Sequence, residues 1–389
     1  MAEMSLAHSP NPSGKETGIP IWQKMDANPP FMPENMPFPS HFQGKKVLLK
    51  DLFRTGLPYM RQRVLVLGGG LEGERIVTKL LEEPDHCEVI GIFDDRTTRL
   101  QDFHHSVPIL GNIDDMVAFC RKDLPDIIII STADAGRERL RELIRKIIVL
   151  PVNIYLAMDH QKMDGLENVD PHDPDIILFP ISKVPLAGSH LVMKWLEDKI
   201  LALFFIIILS PLMVVIAALI KIDSRGDVLF IQDRYGFNNK IIKVFKFRTM
   251  HIAQADPTGA RRTVRNDPRV TRIGRYLRNF SLDELPQFFN VLLGSMSIVG
   301  PRAHATAMQV NNEPYEKVID CYSARHMVKP GITGLAQVMG CRGEIKTKYM
   351  AQKRLDYDLY YIKHWSLWMD LKIIIKSIHI ILFKRENTF

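Results

Sequence analysis

Cysteine is scarce and scattered. Cys87, Cys120, Cys321 and Cys341 are the four in 389 residues, and no two stand in a C-x-x-C spacing. That excludes a zinc ribbon and a disulfide scaffold and points to a reducing compartment. The start, MAEMSLAHSPNPSGKETG, lacks a basic n-region followed by an apolar core. No signal peptide is expected, and the first domain should stay in the cytoplasm. Acidic residues do not balance the basic ones: the formal net charge is +7 and the pI about 9.1. Such a surplus favours an anionic partner, whether nucleic acid, an acidic membrane face or phosphorylated substrates. A hydrophobic fraction of 46% argues against disorder throughout and against a polytopic membrane protein.

Regular structure is not expected at the N-terminus, where eight of the 24 prolines fall in the first 39 positions. Proline fixes φ and removes a donor, so residues 1–60 read as a Pro-rich disordered tail. From residue 61 the pattern changes. Short apolar runs at Val64–Leu67, Cys87–Phe93, Val107–Leu110, Asp126–Ile130 and Val152–Leu156 alternate with helical stretches near Ile113–Arg121 and Gly136–Val149. This alternation predicts a Rossmann-like α/β domain over 61–158 with a parallel sheet. Residues 159–190, rich in Asp, Pro and His, read as a linker with one further strand near Ile176–Phe179. The rest, 191–389, forms a second unit.

From Ile200 to Ile220 there is no charge, and Lys199 and Lys221 bracket the run. Twenty-one helical residues reach roughly 31 Å, about one bilayer core. Pro211 removes a backbone hydrogen bond at its middle, and Ser210 can satisfy freed backbone groups. Both flanks are positive, and positive residues prefer the cytoplasmic side. A re-entrant helix–break–helix hairpin over 200–220 meets both conditions; a single span and a buried core helix are the alternatives. Near the C-terminus Trp365, Trp368, Leu371, Ile375, Ile378 and Leu382 recur at helical spacing, with Lys372, Lys376 and His379 on another face. That pattern fits a helix lying in a membrane interface, or one packed on its own domain.

The segment SLDELPQFFNVLLGSMSIVGPR, Ser281 to Arg302, carries the adjacent carboxylates Asp283 and Glu284. Structurally they can be a helix cap, either as a Ser281-x-x-Glu284 capping box or with Asp283 as N-cap and Pro286 in the first turn. Their surroundings suggest more. Arg269, Arg272, Arg275 and Arg278 recur every three residues without an acidic partner until Asp283. Lys243, Lys246 and Arg248 add charge on a strand-like run, and Arg302 closes VGPR. Such cation density calls for phosphates or lipid headgroups. A carboxylate among arginines at a helix N-terminus should stay ionised, which suits a nucleophile or a metal ligand better than a general acid.

Residues 191–389 resemble the bacterial sugar transferases, the monotopic polyprenyl-phosphate phosphoglycosyl transferases. The resemblance rests on the apolar segment with Ser210-Pro211, KFRTM (246–250), DPRVTRIGRYLR, SLDELPQFFNVLLGSMSIVGPR, KPGITGLAQV (329–338) and YDLYYIKHWSLWMDLKI, in that order. It implies a mainly α-helical, membrane-associated catalytic domain with a re-entrant helix hairpin on the cytoplasmic face of the bacterial inner membrane. It implies transfer of a sugar-1-phosphate from a UDP-sugar to polyprenyl (undecaprenyl) phosphate, with release of UMP, at the start of exopolysaccharide synthesis. Asp283 is then the covalent nucleophile and Glu284 the support for magnesium (Mg2+). Arg278, Arg302, Lys246 and Arg248 are then substrate-binding, and Ser210 and Pro211 the membrane break. No nucleic-acid partner is implied, and a homodimer is left open. Two departures stand out. The family's VGPRP is VGPRA here, with Ala303 in place of the second proline, and a proline-rich tail replaces the four transmembrane helices of its long members. Gly340-Cys341-Arg342-Gly343-Glu344 is similar to the GWRGE of glucose-1-phosphate-transferring members, which favours glucose over galactose.

A rival reading is an NAD(P)-dependent enzyme acting on sugar nucleotides. Gly68-x-Gly70-x-x-Gly73 follows a strand and opens a helix, and Asp94 stands 21 residues on, matching a dinucleotide fingerprint. No Tyr-x-x-x-Lys pair follows in the α/β region to carry hydride chemistry.

Overall fold

The structure, a computed structural model, describes residues 47–52, 61–96, 107–131, 136–158, 176–184, 186–251, 267–306, 309–310, 313–315, 319, 321–343 and 347–383. The proline-rich segment up to residue 46 and the 159–175 part of the expected linker lie outside the described residues.

Seven strands form one mixed sheet: β1 (Val47–Leu48), β2 (Gln62–Leu67), β3 (Cys87–Phe93), β4 (Ile109–Gly111), β5 (Ile127–Ser131), β6 (Asn153–Met158) and β7 (Ile177–Ser182). Their order is β1-β7-β6-β5-β2-β3-β4. The five strands β2 to β6 pair in parallel, while β7 and β1 join the β6 edge antiparallel. The central pair explains itself from sequence. Val64–Leu67 and Ile127–Ile130 are unbroken apolar runs, aligned from Val64↔Ile127 to Leu67↔Ile130 and buried throughout. Strands covered on both faces read this way.

The accompanying helices are α1 (Leu49–Leu52), α2 (Leu71–Leu81), α3 (Ile113–Lys122) and α4 (Arg137–Ile147). Ile76, Val77 and Leu80 of α2 share a core with Val64, Val66 and Ile129. The start of α3 is fixed by a capping box between Asn112 and Asp115. The sheet reaches beyond the limits expected from sequence. Val47–Leu48 form its edge strand and Leu49–Leu52 the short helix that follows, and β7 is a strand of this sheet, because Ile177 and Leu178 pair with β1 on one side and β6 on the other.

The second half opens with α5 (Ser189–Asp223), followed by the antiparallel hairpin β8 (Leu229–Tyr235) and β9 (Ile241–Phe247). Next come α6 (Arg272–Asn279), α7 (Gln287–Leu293), β10 (Ser297–Val299), a small hairpin of β11 (Gln309–Val310) with β12 (Glu313–Pro314), and β13 (Gly331–Thr333), which pairs parallel with β10. Helices Lys348–Lys363 and Leu367–Phe383 close the described chain.

The apolar segment lies within one long helix: α5 runs for 35 residues with Pro211 inside it. Ser210 Oγ donates to the Ile207 carbonyl at 2.8 Å, satisfying one acceptor near the proline. The helix also starts eleven residues before Ile200. Its charged first turns are held by buried partners: Lys194 Nζ donates to Asp370 at 2.6 Å, and Asp198 accepts from Ser297 Oγ and the Ile298 amide, both at 2.9 Å. Only 17% of its most apolar window is buried in protein, which rules out the core-helix reading. One side, Met213, Ile216 and Ile220, packs on Phe247, Leu277, Leu282 and Leu285. Val214 and Ile207 on other sides are exposed.

Gly73 lets α2 approach the end of β2: a Cβ there would stand 1.9 Å from the Gly68 carbonyl oxygen. Gly73→Ala should therefore cost about 1–3 kcal/mol of stability through overpacking. Urea unfolding monitored by circular dichroism checks this, and an unchanged midpoint would contradict the packing described.

Candidate active site

The two carboxylates are positioned by a turn too short to be an α-helix. After α6 the chain passes through Ser281 in the left-handed region (φ 55°), and Leu282–Glu284 form a 3-10 turn. The Glu284 amide donates to Ser281 O at 3.3 Å, and Leu285 donates to Leu282 O at 3.3 Å. A 3-10 turn stacks residues i and i+3. Leu282 therefore lies over Leu285, and both pack against α5. Asp283 and Glu284 occupy the remaining sides of the turn.

This corrects the cap readings. Pro286 is the N-cap of α7, Ser281 makes no side-chain cap, and Asp283 lies a turn ahead of the helix. The motif Leu-Asp-Glu-Leu thus sets two leucines on the core that α5 shares with Phe247 and Leu277, and leaves two carboxylates on the other sides of the turn.

Three separate segments converge on this turn. Lys246 of β9 reaches Glu284 Oε1 with its ammonium at 3.0 Å. Arg302, from the loop after β10, grips Glu284 with both terminal nitrogens: Nη1 donates to Oε2 at 3.1 Å and Nη2 to Oε1. Arg278 of α6 donates from Nε to Thr249 Oγ1 at 2.8 Å and lies within electrostatic reach of Asp283. Asp283 itself makes no hydrogen bond to a side chain among the described residues.

The two carboxylates consequently differ. Burial pushes the Asp283 carboxyl above its ordinary value and the neighbouring Glu284 charge adds to this, against the opposing pull of Lys246, Arg278 and Arg302. Burial would raise Glu284 too, but Arg302 and Lys246 outweigh it and hold that carboxyl well below the usual range. The Glu284 charge in turn raises Arg302, whereas burial lowers Lys246. Asp283 is therefore the carboxylate whose negative charge the site tolerates least.

Backbone contacts explain the remaining motifs. VGPR and KPGITG lie against each other: the Gly300 amide donates to Thr333 O and the Gly331 amide to Pro301 O, each at 2.9 Å. A Cβ on Gly331 would come 2.1 Å from the Gly300 nitrogen, and one on Gly334 2.2 Å from the Gly300 oxygen. Bare backbone is needed at both contacts, and Arg302 leaves this platform directly. Beneath it, Arg325 donates to the Arg302 carbonyl at 2.8 Å and pairs with buried Asp358 at 2.7 Å. Ala303, the departure from VGPRP, is buried, and its carbonyl accepts from Arg234.

Arg248, expected to bind substrate, faces elsewhere. Its guanidinium donates to Ser224 O at 2.7 Å, Ser224 Oγ at 3.0 Å and Arg225 O at 2.8 Å. It caps the C-terminal carbonyls that α5 leaves unpaired. The arginine stripe is also less uniform than its spacing suggested. Arg269 precedes α6 and is paired with Asp267 at 2.6 Å, and Arg272 and Arg275 are exposed.

Two residues not singled out from sequence, Arg234 and Asn290, join the site together with Arg342, which the sequence marked only through its motif. Arg234 of β8, held by Gln232, lies within reach of Asp283, Glu284 and Arg302; burial and Arg302 push its pKa down to about 10. Arg342, inside the GCRGE stretch, is coupled to Arg302 and Glu284. Asn290 of α7 substitutes for a missing strand at the β9 edge, accepting from the Phe245 amide at 2.9 Å and donating to Lys243 O at 2.7 Å. It thereby fixes Lys246 relative to the carboxylate turn. Its sequence signal is an amide inside the apolar run FFNVLL. Among the described residues, five cations (Lys246, Arg278, Arg302, Arg234 and Arg342) lie within electrostatic reach of the two carboxylates or of one another.

The glycine fingerprint in the first half assembles differently from a dinucleotide site. Gly68 adopts φ 107° and Gly70 caps α2. Asp94, which the rival reading would direct to a ribose, accepts the Gly69 amide at 2.7 Å and the Arg96 amide at 2.8 Å. Glu72 and Glu74 occupy the first turn of α2. A loop amide already taken by a carboxylate, with two more carboxylates beside it, opposes an incoming pyrophosphate.

A cluster of cations around two adjacent carboxylates, beside a core that the exposed apolar helix shares, defines an anion-handling site. Comparison with known proteins agrees: the model for the family described as bacterial sugar transferase matches residues 189–384, and this chain belongs to that family. A model described as a CoA-binding domain matches residues 49–157. The chain is similar to a UDP-glucose:undecaprenyl-phosphate glucose-1-phosphate transferase of Klebsiella pneumoniae, 38% identical over 85% of this chain and 70% of that protein. Proteins of the same description from Escherichia coli (36%, covering 85% and 71%) and Xanthomonas campestris (40%, covering 85% and 69%) are similar as well.

The asymmetry between the carboxylates has a thermodynamic consequence. A carboxylate with a raised folded-state pKa opposes folding when ionised, and that cost disappears as pH falls through the raised pKa. Asp283→Asn should therefore raise the thermal midpoint at neutral pH, with the gain shrinking towards pH 4. Scanning calorimetry across pH checks this; a lowered midpoint at pH 7 would contradict it.

Proposed function

We propose that this chain transfers glucose-1-phosphate from UDP-glucose to polyprenyl phosphate, working from the cytoplasmic face of a bacterial inner membrane. The observation that carries this reading is the isolated Asp283 carboxylate, partly desolvated and surrounded by Lys246, Arg278 and Arg302, while Glu284 absorbs the hydrogen bonds of Arg302 and Lys246. A site with three more cations than carboxylates suits a pyrophosphate.

In the first step a carboxylate oxygen of Asp283 attacks the sugar-bearing phosphorus. A bond from that oxygen to phosphorus forms, the bond from phosphorus to the bridging oxygen breaks, and UMP leaves with the electron pair. In the second step an oxygen of polyprenyl phosphate attacks the same phosphorus and the bond to Asp283 breaks, restoring the carboxylate. Arg278 and Arg302 stabilise charge on the phosphoryl oxygens, and Lys246 holds Glu284 in register.

The residues present fit Mg2+, which binds through one or two carboxylates plus substrate phosphates. Glu284 Oε2 accepts one hydrogen bond, from Arg302, and keeps a lone pair for a metal. Bound there, the ion would neutralise charge on the pyrophosphate.

Two features support attachment to one membrane face. Both ends of α5 are tied into the same body, through Lys194 and Asp370 at one end and through Ser224 and Arg248 at the other. A helix spanning the bilayer would separate these ends by the hydrocarbon thickness, so a re-entrant course fits better. Trp368, Leu371, Ile375 and Ile378 of the terminal helix add a second exposed apolar face. The parallel order β4-β3-β2-β5-β6 supports a Rossmann-like reading of the first domain.

Detergent-solubilised protein should release UMP from UDP-glucose in the presence of Mg2+ and polyprenyl phosphate, and Asp283→Asn should reduce this to background. Because the carboxylate must be ionised to attack, activity should fall on the acid side at a pH above 3.8, the ordinary aspartate value. No UMP from any UDP-sugar, or full turnover by Asp283→Asn, would overturn the proposal.

A further inference from the structure

The hairpin of β8 and β9 carries Arg234 on one strand and Lys246 on the other, and its turn reaches the first domain. The Lys240 amide closes the turn by donating to the Phe237 carbonyl at 3.1 Å. Its two central residues, Asn238 and Asn239, stand in the left-handed region at φ 53° and 56°. Asparagine tolerates that conformation, and glycine would meet it as well. The side chain at 238 therefore has a separate reason, because it is a polar amide only 1% exposed. Its Nδ2 donates to the Cys120 carbonyl at 2.8 Å and to the Arg121 carbonyl at 3.4 Å. Its Oδ1 has no hydrogen-bond partner among the described residues, so the Nδ2 contacts alone offset the cost of burying the amide. Both carbonyls lie in the last turn of α3. The Asp123 amide takes the Phe119 carbonyl, and the carbonyls beyond it have no partner inside the helix. Asn238 thus caps a helix of the first domain from the catalytic half, and the two halves fall within one compact unit.

Asn239 ties the same turn to the opposite side. It donates from Nδ2 to Ser323 Oγ at 3.3 Å, and its Oδ1 accepts from His326 Nδ1. Ser323 and His326 belong to the 3-10 segment Tyr322–Met327, which also carries Arg325, the support of the Arg302 carbonyl. Tyr235, next to Arg234, stacks on the His326 ring at 5.8 Å and donates its amide to the His304 carbonyl at 3.2 Å. Arg234 stands opposite Ile242, near the turn, whereas Lys246 stands opposite Phe230 at the far end of the hairpin. Asn290 fixes that far end through Lys243 and Phe245. The end nearer Arg234 is fixed by the turn, and the turn sits on α3.

Resting on the transferase reading above, we infer that Asn238 is a positioning residue for the reaction: the carbonyl end of α3 is the seat of the catalytic hairpin, and through it the first domain holds Arg234 at the active site. The first domain then takes part in the chemistry by contact. A guanidinium stabilises developing phosphoryl charge only when it is held in place beforehand, so freeing the turn lowers the rate.

The test uses the full chain in detergent. Asn238→Gly keeps the left-handed turn and removes the amide, while Asn238→Asp keeps the shape and sets carboxylate oxygens against two carbonyls. Read below the thermal midpoint of each protein, UMP release from UDP-glucose should slow about fivefold or more in both, the effect of one buried hydrogen bond. In an Arg234→Ala background Asn238→Gly should cost little further, because a positioning residue acts through the residue it positions. A purely structural role would lower the midpoint and multiply with Arg234→Ala. Full turnover by both Asn238 variants, or losses that multiply, overturns the inference. If neither variant folds, deuterium exchange on the wild type decides: peptides covering 236–240 should be protected as strongly as β9, and exchange at the rate of a free hairpin turn would contradict the seat. Wild-type protein that releases no UMP would instead sink the transferase reading, and the exchange result would still report on the contact.

Discussion

The active centre depends on one ionic arrangement, the Glu284 carboxylate held by Lys246 and Arg302. These three residues come from a strand, a tight turn and a loop that share no local structure, and their charges join them. The arrangement is expensive to desolvate, and removing any one partner leaves a buried charge uncompensated. It also separates the two adjacent carboxylates into different roles. By satisfying Glu284, it leaves Asp283 beside the same cations without a hydrogen bond to any of them. Much of the surrounding fold serves to keep that geometry: Asn290 sets the β9 edge, the contacts of Gly300 with Gly331 and Gly334 set the Arg302 loop, and Arg325 with Asp358 supports it from below.

The apolar helix and the chemistry are linked through the same turn. In a 3-10 turn Leu282 and Leu285 stack toward α5, so anchoring the turn to the apolar helix also orients Asp283 and Glu284 away from it. Four consecutive residues thus join the turn that carries both carboxylates to the core that the apolar helix shares. Arg248 contributes at a distance by capping α5 where that helix enters the folded body.

Much of this was legible in the sequence. The alternating runs from Val64 to Leu156 foretold a sheet because buried parallel strands leave unbroken apolar stretches. Asp283, Glu284, Lys246, Arg278 and Arg302 were foreseen as one site and do come together. What escaped has identifiable causes. Pro286 suits an N-cap as well as a first turn, so residue types alone could not distinguish a helix cap from a 3-10 turn. Arg248 stands two residues after Lys246 but just past the end of β9, and the carbonyls at the end of α5 claim it. A scan for uncharged residues finds 200–220 but not the true start of α5, because Lys194 is paired with Asp370 and Asp198 is hydrogen-bonded by Ser297, both from distant segments. Arg234 belongs to the site only through tertiary contacts that no local pattern encodes, whereas Arg342 stood in a stretch that was read for sugar preference and not for its charge.

The central claim is that Asp283 becomes covalently phosphorylated by the sugar donor. Wild-type protein mixed with UDP-glucose in the absence of lipid acceptor, acid-quenched and digested, can be read by tandem mass spectrometry. The account predicts a hexose-phosphate adduct on Asp283 that disappears when polyprenyl phosphate is added before the quench. UMP release with no adduct on any residue, or with an adduct elsewhere than Asp283, would contradict it.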